Sequence, residues 1–280
     1  MKLIIHGGFF SESSTDLQTK KAKQEALISI VKQSYEYLKT HTALETVIFA
    51  VSLLEDDPLF NAGIGSQIQS DGKIRMSASV MDGETKKMSG VINIEEVKNP
   101  ILVAQKLLDV DDRILGGEGA TQFARKNGFS AFSTEIPQRR EEYAAKLKSN
   151  GTGTVGCVAL DKNGKIAAAT STGGKGFEMV GRISDSATVA GNFANENCGV
   201  SCTGVGEDIV SGAVAAKIVT RVTDGFPIKE AFAKTFEELK TFDGFAGAIG
   251  IDKNGTIFRQ DSHPKMVFAW FDGEKTEVFD

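Results

Sequence analysis

Histidine is scarce in this chain: only His6, His41 and His263 occur among 280 residues. None lies in a Gly-x-Ser-x-Gly or related triad context, so a hydroxyl nucleophile here needs a different base. Cysteine is equally scarce. Cys157, Cys198 and Cys202 form an odd set without zinc-ligand spacing, which argues against a disulfide scaffold or a thiolate metal site and leaves packing as their role. No Gly-x-x-x-x-Gly-Lys-Ser/Thr phosphate loop is present. Basic excess is also lacking, with 32 Lys and Arg against 37 Asp and Glu and a net charge of -5. That balance, without a basic stripe, gives no reason to expect nucleic acid as a partner. The opening run Met1-Lys2-Leu3-Ile4-Ile5-His6-Gly7-Gly8 is too short in apolar residues for a signal peptide or a membrane span. The expectation is a cytoplasmic protein, away from membranes, acting on small molecules or peptides.

What the chain does contain is enough apolar material, 41% of its residues, for one layered domain over residues 1–280. Leu3 to His6 reads as a buried strand, and Thr15 to Thr40 as a helix with Ala22, Ala26, Ile30, Val31, Tyr35 and Leu38 on one stripe. Thr42-Ala43-Leu44-Glu45 is a capping-box pattern that opens a second helix. Asp71-Gly72 and Asp82-Gly83 signal hairpins. Helices are expected from Pro100 to Leu108 with Asn99 as cap, and from Glu118 to Lys126, stopped by Asn127-Gly128. Glu135 to Asn150 reads as a charged connector that begins as a surface helix. Val155 to Leu160 and Lys165 to Thr170 form a hairpin about Asp161-Lys162-Asn163-Gly164, a phrase that recurs at Asp252-Lys253-Asn254-Gly255. Helices are expected at Gly206 to Thr223 and Pro227 to Lys240 between these hairpins. Strands, two helices and strands in each half predict an α/β fold with two sheets between helical layers.

The chemistry concentrates at Gly151-Thr152-Gly153-Thr154-Val155-Gly156-Cys157. A break between Gly153 and Thr154 leaves one threonine with both a hydroxyl and a free α-amine. The amine has an unperturbed pKa of roughly 7.7 to 8.0, so it is partly neutral near pH 7 and serves as the missing base. Four further segments fit such a centre. Ala168 to Gly174 is a strand end that presents Thr172 beside Thr154. Gly181-Arg182-Ile183-Ser184-Asp185-Ser186 offers a cation for an α-carboxylate and an anion for an α-ammonium. Ser201-Cys202-Thr203-Gly204-Val205-Gly206-Glu207 offers a hydroxyl and amides to an oxyanion. The loop Leu54 to Gly65 contributes the Asn61 amide. Singly, these segments read equally well as a surface ion pair, a helix cap and a turn.

Ile5-His6-Gly7-Gly8, Leu54 to Gly65, Val80-Met81-Asp82-Gly83, Gly153 to Leu160, Ala168 to Gly174, Gly181 to Ser186 and Ser201 to Glu207, in this order, resemble the N-terminal-nucleophile (plant-type) L-asparaginase and isoaspartyl peptidase family. The resemblance implies a four-layer αββα sandwich of the N-terminal-nucleophile hydrolase type. It further implies self-cleavage into an α subunit of residues 1–153 and a β subunit of residues 154–280, assembled as an (αβ)₂ dimer of cleaved precursors. It implies Thr154 as nucleophile and Thr172 as its orienting hydroxyl. Thr203, Gly204 and Asn61 are implied as oxyanion and positioning groups, and Arg182, Asp185, Gly204 and Gly206 as substrate contacts. It implies no organic cofactor. A structural sodium ion is implied on backbone carbonyls of Leu54, Glu55, Asp57, Phe60, Ala62 and Ile64. The implied reaction releases L-aspartate from L-asparagine or β-aspartyl dipeptides. Alternatives are a glycosylasparaginase-like hydrolase, disfavoured because Gly153 stands where those enzymes usually place aspartate, and an uncleaved, catalytically silent binding protein. Phe9-Phe10, the short connector and the abbreviated Phe193 to Gly199 segment depart from the family's pattern and bear on substrate preference and maturation rate.

Overall fold

A computed structural model describes residues 1–10, 17–145, 153–263 and 265–280. The chain runs through β1 (Lys2–Phe9), α1 (Leu17–Leu38), α2 (Ala43–Asp56), β2 (Met76–Asp82), β3 (Met88–Ile94), α3 (Pro100–Leu107), β4 (Ile114–Gly116), α4 (Gly117–Lys126) and α5 (Pro137–Ala144). It continues with β5 (Val155–Leu160), β6 (Ile166–Thr172), a 3₁₀ turn at Asp185–Ala187, β7 (Asn192–Ala194) and β8 (Cys198–Gly204). Then come α6 (Gly206–Gly212), α7 (Val214–Thr223), α8 (Ile228–Leu239), β9 (Ala246–Asp252), β10 (Ile257–Asp261), β11 (Met266–Phe271) and β12 (Thr276–Val278).

The strands form two sheets. The larger has the order β12-β11-β1-β5-β6-β2-β3-β4 and the smaller β10-β9-β8-β7. The fold is therefore mixed α/β. Strand β5 lies between β1 and β6, fully buried along its length, which explains why its sequence lacks the polar alternation of a half-exposed strand. Helices α1, α2 and α3 pack against the larger sheet, and α7 and α8 against the smaller. Strands β1, β5 and β6 meet β8 and β9 across the gap between the sheets. The sheets approach closely there: a side chain at Gly199 would come within 2.8 Å of Ile166 and 3.0 Å of Val158.

Each interface has a different chemistry. Leu27, Ile30, Val31, Val47, Val51 and Leu54 bury the helical side of the larger sheet. Val200, Cys202, Ile218 and Phe232 do the same for the smaller one. Between the sheets, fully buried polar groups occur: His6, Thr170, Ser201 and Thr203. Such groups are costly unless hydrogen-bonded, so this layer is where a site is to be sought.

Most local expectations hold. The Thr42 hydroxyl accepts from the Glu45 amide at 3.2 Å, and the Glu45 carboxylate accepts from the Thr42 amide at 2.9 Å, completing the capping box of α2. In α1 the buried stripe is Leu27, Ile30, Val31, Ser34, Tyr35 and Leu38, and Ala22 and Ala26 lie at its edge. Thr15 and Asp16, and Lys146 to Thr152, fall outside the described residues.

Three expectations change. Gly206 to Thr223 is two helices, because Ala213 adopts the left-handed conformation at φ 48° between α6 and α7. Asn99 precedes α3 without capping it, since the Ile101 amide that a cap would receive donates to Glu55 Oε1 at 3.1 Å, while the Asn99 side-chain amide donates to Asp56 Oδ1 at 2.9 Å and to the Ser52 carbonyl at 3.3 Å. Asp71-Gly72 is a tight turn within a loop, with Gly72 at φ 83°, and joins no strands. Asp82-Gly83 does open the β2–β3 connection. Among the described residues no helix is long and apolar enough to cross a membrane.

Candidate active site

The hairpin of β5 and β6 sets the first distance. Val155 pairs with Ser171, so Thr154 and Thr172 are the next residues outward on adjacent strands. The Thr154 hydroxyl donates to Thr172 Oγ1 at 3.2 Å. Thr172 in turn donates to the Gly153 carbonyl oxygen at 3.2 Å and accepts from the Gly174 amide at 3.2 Å. Both threonines are buried. The two-residue period of a strand puts Thr170 and Thr172 on the inner face of β6 and Ser171 on the opposite one. There the Ser171 hydroxyl donates to Glu55 Oε1 at 2.6 Å.

Asn61 completes the grip on Gly153. Its Nδ2 donates to the Gly153 carbonyl at 2.8 Å and to the Gly174 carbonyl at 2.5 Å, and its Oδ1 accepts from the Gln67 amide at 3.0 Å. The Asn61 backbone carbonyl accepts from the Gly173 amide at 2.9 Å, so both side chain and backbone are fixed. Gly153 has to be glycine, since a side chain there would lie 2.6 Å from Asn61 Cβ.

A second cluster lies around the 3₁₀ turn. Arg182 reaches Glu207 through Nε at 3.1 Å and Nη2 at 3.0 Å, and Lys175 Nζ reaches the same carboxylate at 3.3 Å. The Arg182 guanidinium is the main reason Glu207 is held down at about 2. Asp185 is buried, with Oδ2 lacking a partner among the described residues. Burial pushes its carboxyl up to about 7, against the pull of Arg182. A side chain at Gly206 would come within 2.7 Å of Arg182 Nη2 and 2.9 Å of Asp185 Oδ1. Cation, anion and bare backbone thus converge at Gly206, where Asp185 Oδ1 suits an ammonium; the unpartnered Oδ2 lies on the Gly191 side.

Strand β8 connects the clusters. Ser201 and Thr203 share the face toward the larger sheet, while Cys202 joins the core under the helices. Gly204, at φ 138°, would bring a side chain to 2.5 Å from the Phe245 carbonyl, so only glycine lets the chain turn here toward Gly206. Cys157 lies in the helical-side core, and burial pushes its thiol well above the ordinary range. It behaves as the packing residue its sequence context suggests.

The loop from Leu54 to Gly65 folds on itself. The Ile64 amide donates to the Glu55 carbonyl at 2.7 Å, and the Phe60 amide to the Asp57 carbonyl at 3.1 Å. A side chain at Gly65 would meet the Pro58 and Phe60 carbonyls at 2.8 and 2.9 Å. Backbone oxygens therefore crowd inward. Each carbonyl retains a second lone pair, so this hard-oxygen donor set fits a hard cation. Among the described residues no group of three or more His, Cys, Asp or Glu could hold a metal ion.

Comparison with known proteins decides the family. A family model described as asparaginase matches residues 1–279. The chain belongs to the asparaginase family. An isoaspartyl peptidase/L-asparaginase of Nostoc sp. is 42% identical over 98% of this chain and 92% of its own length. An isoaspartyl peptidase of Escherichia coli is 37% identical, covering 96% of this chain and 92% of the relative. A plant-type L-asparaginase of Pyrococcus furiosus is 36% identical, covering 96% and 95%.

Within this family member, three features escaped the sequence reading. Glu207 was seen only as the end of a glycine-rich turn, yet it holds Arg182. His6 was set aside for want of a triad, yet its Nδ1 lies 2.9 Å from the Thr154 carbonyl oxygen. Ser201 and Thr170 complete that contact. The available signal was the alternation Thr170-Ser171-Thr172 and Ser201-Cys202-Thr203, which puts two hydroxyls on one face of each strand.

Proposed function

We propose that the protein is an amidohydrolase that cleaves itself between Gly153 and Thr154 and then hydrolyses β-aspartyl peptides and L-asparagine to L-aspartate. The observation that carries this reading is the joint grip on Gly153 and Thr154. The Thr154 hydroxyl is hydrogen-bonded to Thr172, and the adjacent Gly153 carbonyl accepts from both Asn61 and Thr172. Those donors stabilise negative charge on that oxygen as the hydroxyl attacks the Gly153 carbonyl carbon; the Gly153–Thr154 C–N bond then breaks as the hydroxyl proton passes to the Thr154 nitrogen, and water hydrolyses the resulting ester to free both ends. The names of the relatives support the substrate class.

Once cleaved, the Thr154 α-amine accepts the proton of its own hydroxyl as Oγ1 attacks the side-chain carbonyl of the substrate. The Oγ1–C bond forms, the C–N bond breaks, and the proton passes to the leaving ammonia or amino acid. Water then hydrolyses the ester and releases aspartate. Arg182 takes the α-carboxylate, Asp185 and the backbone at Gly204 and Gly206 the α-ammonium, and Thr203 with the Gly204 amide the oxyanion. Asn61, released from Gly153, positions the substrate carbonyl.

The finer architecture follows the same reading: one domain with helices outside two facing sheets, a four-layer αββα sandwich of the N-terminal-nucleophile hydrolase type. The exposed side chains of Met179, Val180, Ile183, Val189 and Val210 give a second αβ unit an apolar surface to cover in an (αβ)₂ assembly. Backbone carbonyls of Leu54, Glu55, Asp57, Phe60, Ala62 and Ile64 would hold a sodium ion. When bound, it stiffens the loop that carries Asn61. The location proposed is the cytoplasm.

The test is turnover. Purified protein incubated with L-asparagine and with several β-aspartyl dipeptides is expected to release aspartate, and Thr154→Ala to release none. Binding of these compounds without hydrolysis would instead support a silent binding protein.

A further inference from the structure

A buried polar chain ends on the residue assigned as nucleophile. His6 Nδ1 lies 2.9 Å from the Thr154 carbonyl oxygen, and His6 Nε2 lies 2.8 Å from Ser201 Oγ. Ser201 Oγ lies 2.6 Å from Thr170 Oγ1. All three side chains are fully buried.

Chemistry fixes the direction of every bond. A carbonyl oxygen only accepts, so Nδ1 carries the imidazole proton. Burial lowers the His6 pKa to about 3, so the ring is neutral and Nε2 is a bare acceptor. Ser201 therefore donates to Nε2, and its oxygen accepts from Thr170. The Gly191 carbonyl, 3.5 Å from Thr170 Oγ1, is the poorer partner for that hydroxyl.

The backbone makes room for this arrangement. His6, Gly156 and Thr170 are cross-strand neighbours in one row of β1, β5 and β6. The middle residue has no side chain, and Ser201 of the opposite sheet fills the space. A side chain at Gly156 would sit 2.0 Å from Ser201 Oγ and 2.4 Å from His6 Nε2. Three residues on two sheets thus converge through a gap that glycine opens, two positions after Thr154.

We propose that His6, locked in the Nδ1–H tautomer by Ser201 and Thr170, is a positioning residue that clamps the Thr154 carbonyl once the peptide bond before Thr154 is gone. In the uncut chain Thr154 is tethered on both sides. After cleavage its amino side is free, and the angle between amine, hydroxyl and substrate depends on what holds its carbonyl. The His6 N–H does this without placing a charge beside the amine. A tautomer fixed by the partner of the other ring nitrogen is a recurring way to aim an imidazole.

This rests on the Thr154 reading, and the experiment separates the two. Histidine ¹⁵N shifts of the wild-type protein are measured from pH 5 to 8. Steady-state kinetics on a β-aspartyl dipeptide are run for wild type, His6→Gln, His6→Asn and Ser201→Ala, each checked for cleavage by mass. Expected is an Nδ1–H His6 that does not titrate in this range. His6→Gln, which loses the donor to Thr154, is expected to lower kcat ten- to a hundredfold with KM within about twofold. His6→Asn keeps an N–H where Nδ1 was and is expected to recover most of kcat. Ser201→Ala frees the tautomer and is expected to lower kcat three- to tenfold.

An Nε2–H tautomer overturns the proposal, as does His6→Gln with wild-type kcat, or one whose loss lies wholly in KM. Should His6→Gln not fold, the tautomer and the kcat of Ser201→Ala decide, and wild-type values for the latter sink the idea. Wild-type protein that releases no aspartate removes the Thr154 reading and the clamp with it.

Discussion

Asn61 Nδ2 donates to the Gly153 carbonyl oxygen at 2.8 Å, so the residue before the proposed cleavage point is held by a loop more than ninety positions earlier in the chain. The Asn61→Ala variant removes the shorter of the two donors to that oxygen. Self-cleavage is expected to slow about 10²- to 10³-fold, as for loss of one oxyanion donor. A time course of intact chain on a denaturing gel checks this, and cleavage at the wild-type rate would speak against the role.

Binding should depend on pH through Asp185. Burial holds its carboxyl at about 7, with Arg182 pulling it down and Glu207 pushing it up. Burial, with the Asp185 charge adding to it, pushes the Cys202 thiol well above the ordinary range. An ammonium substrate needs Asp185 ionised. KM is therefore expected to rise as pH falls below about 7, approaching tenfold per unit, while Asp185→Asn has a high KM without that slope. The same KM at pH 5.5 and 7.5 in wild type would contradict the assignment.

Glu55 gives a stability signature of known sign. It is fully buried, its Oε2 lacks a partner among the described residues, and burial raises its carboxyl to about 8 despite hydrogen bonds from Ser171 and the Ile101 amide. The folded pKa exceeds the unfolded value, so this group's contribution is full below about 4.5 and is lost as pH rises toward 8. In an uncleavable Thr154→Ala background, urea unfolding at pH 5, 6.5 and 8 is expected to show wild type losing more stability with pH than Glu55→Gln. Parallel slopes would refute it.

The break between α6 and α7 has a backbone cost. Ala213 sits at φ 48°, where a Cβ is strained by roughly 1–2 kcal/mol. Ala213→Gly is expected to stabilise the protein by up to about 1 kcal/mol, after the extra freedom glycine gives the unfolded chain. Thermal unfolding in the same uncleavable background measures it, and destabilisation would show that the helix break is not strained.

How much of this was legible in the sequence depends on the range of the interaction. The capping box of α2 and the Val155–Thr172 hairpin were readable because their signals are local. The Asn99 cap was misread because Glu55, far away in sequence, takes the Ile101 amide that the cap would have received. Gly206 to Thr223 carries no proline, and the one local breaker signal, Ser211-Gly212, was passed over because a single glycine is tolerated within a helix. In the site, Thr154, Thr172, Asn61, Arg182 and Asp185 stood out by motif. His6 and Ser201 did not, since their partnership exists only where two sheets meet through the gap at Gly156. Glu207 looked like part of a turn until the fold brought it against Arg182.

The central claim is that Thr154 becomes an amino terminus and does the chemistry. Intact-mass analysis with amino-terminal sequencing of purified wild-type and Thr154→Ala protein tests it most directly. The prediction is two wild-type fragments, residues 1–153 and 154–280, the second beginning with threonine, and a single uncut chain for Thr154→Ala. An uncut wild-type chain after prolonged incubation, or an alanine variant cut at the same bond, would contradict it.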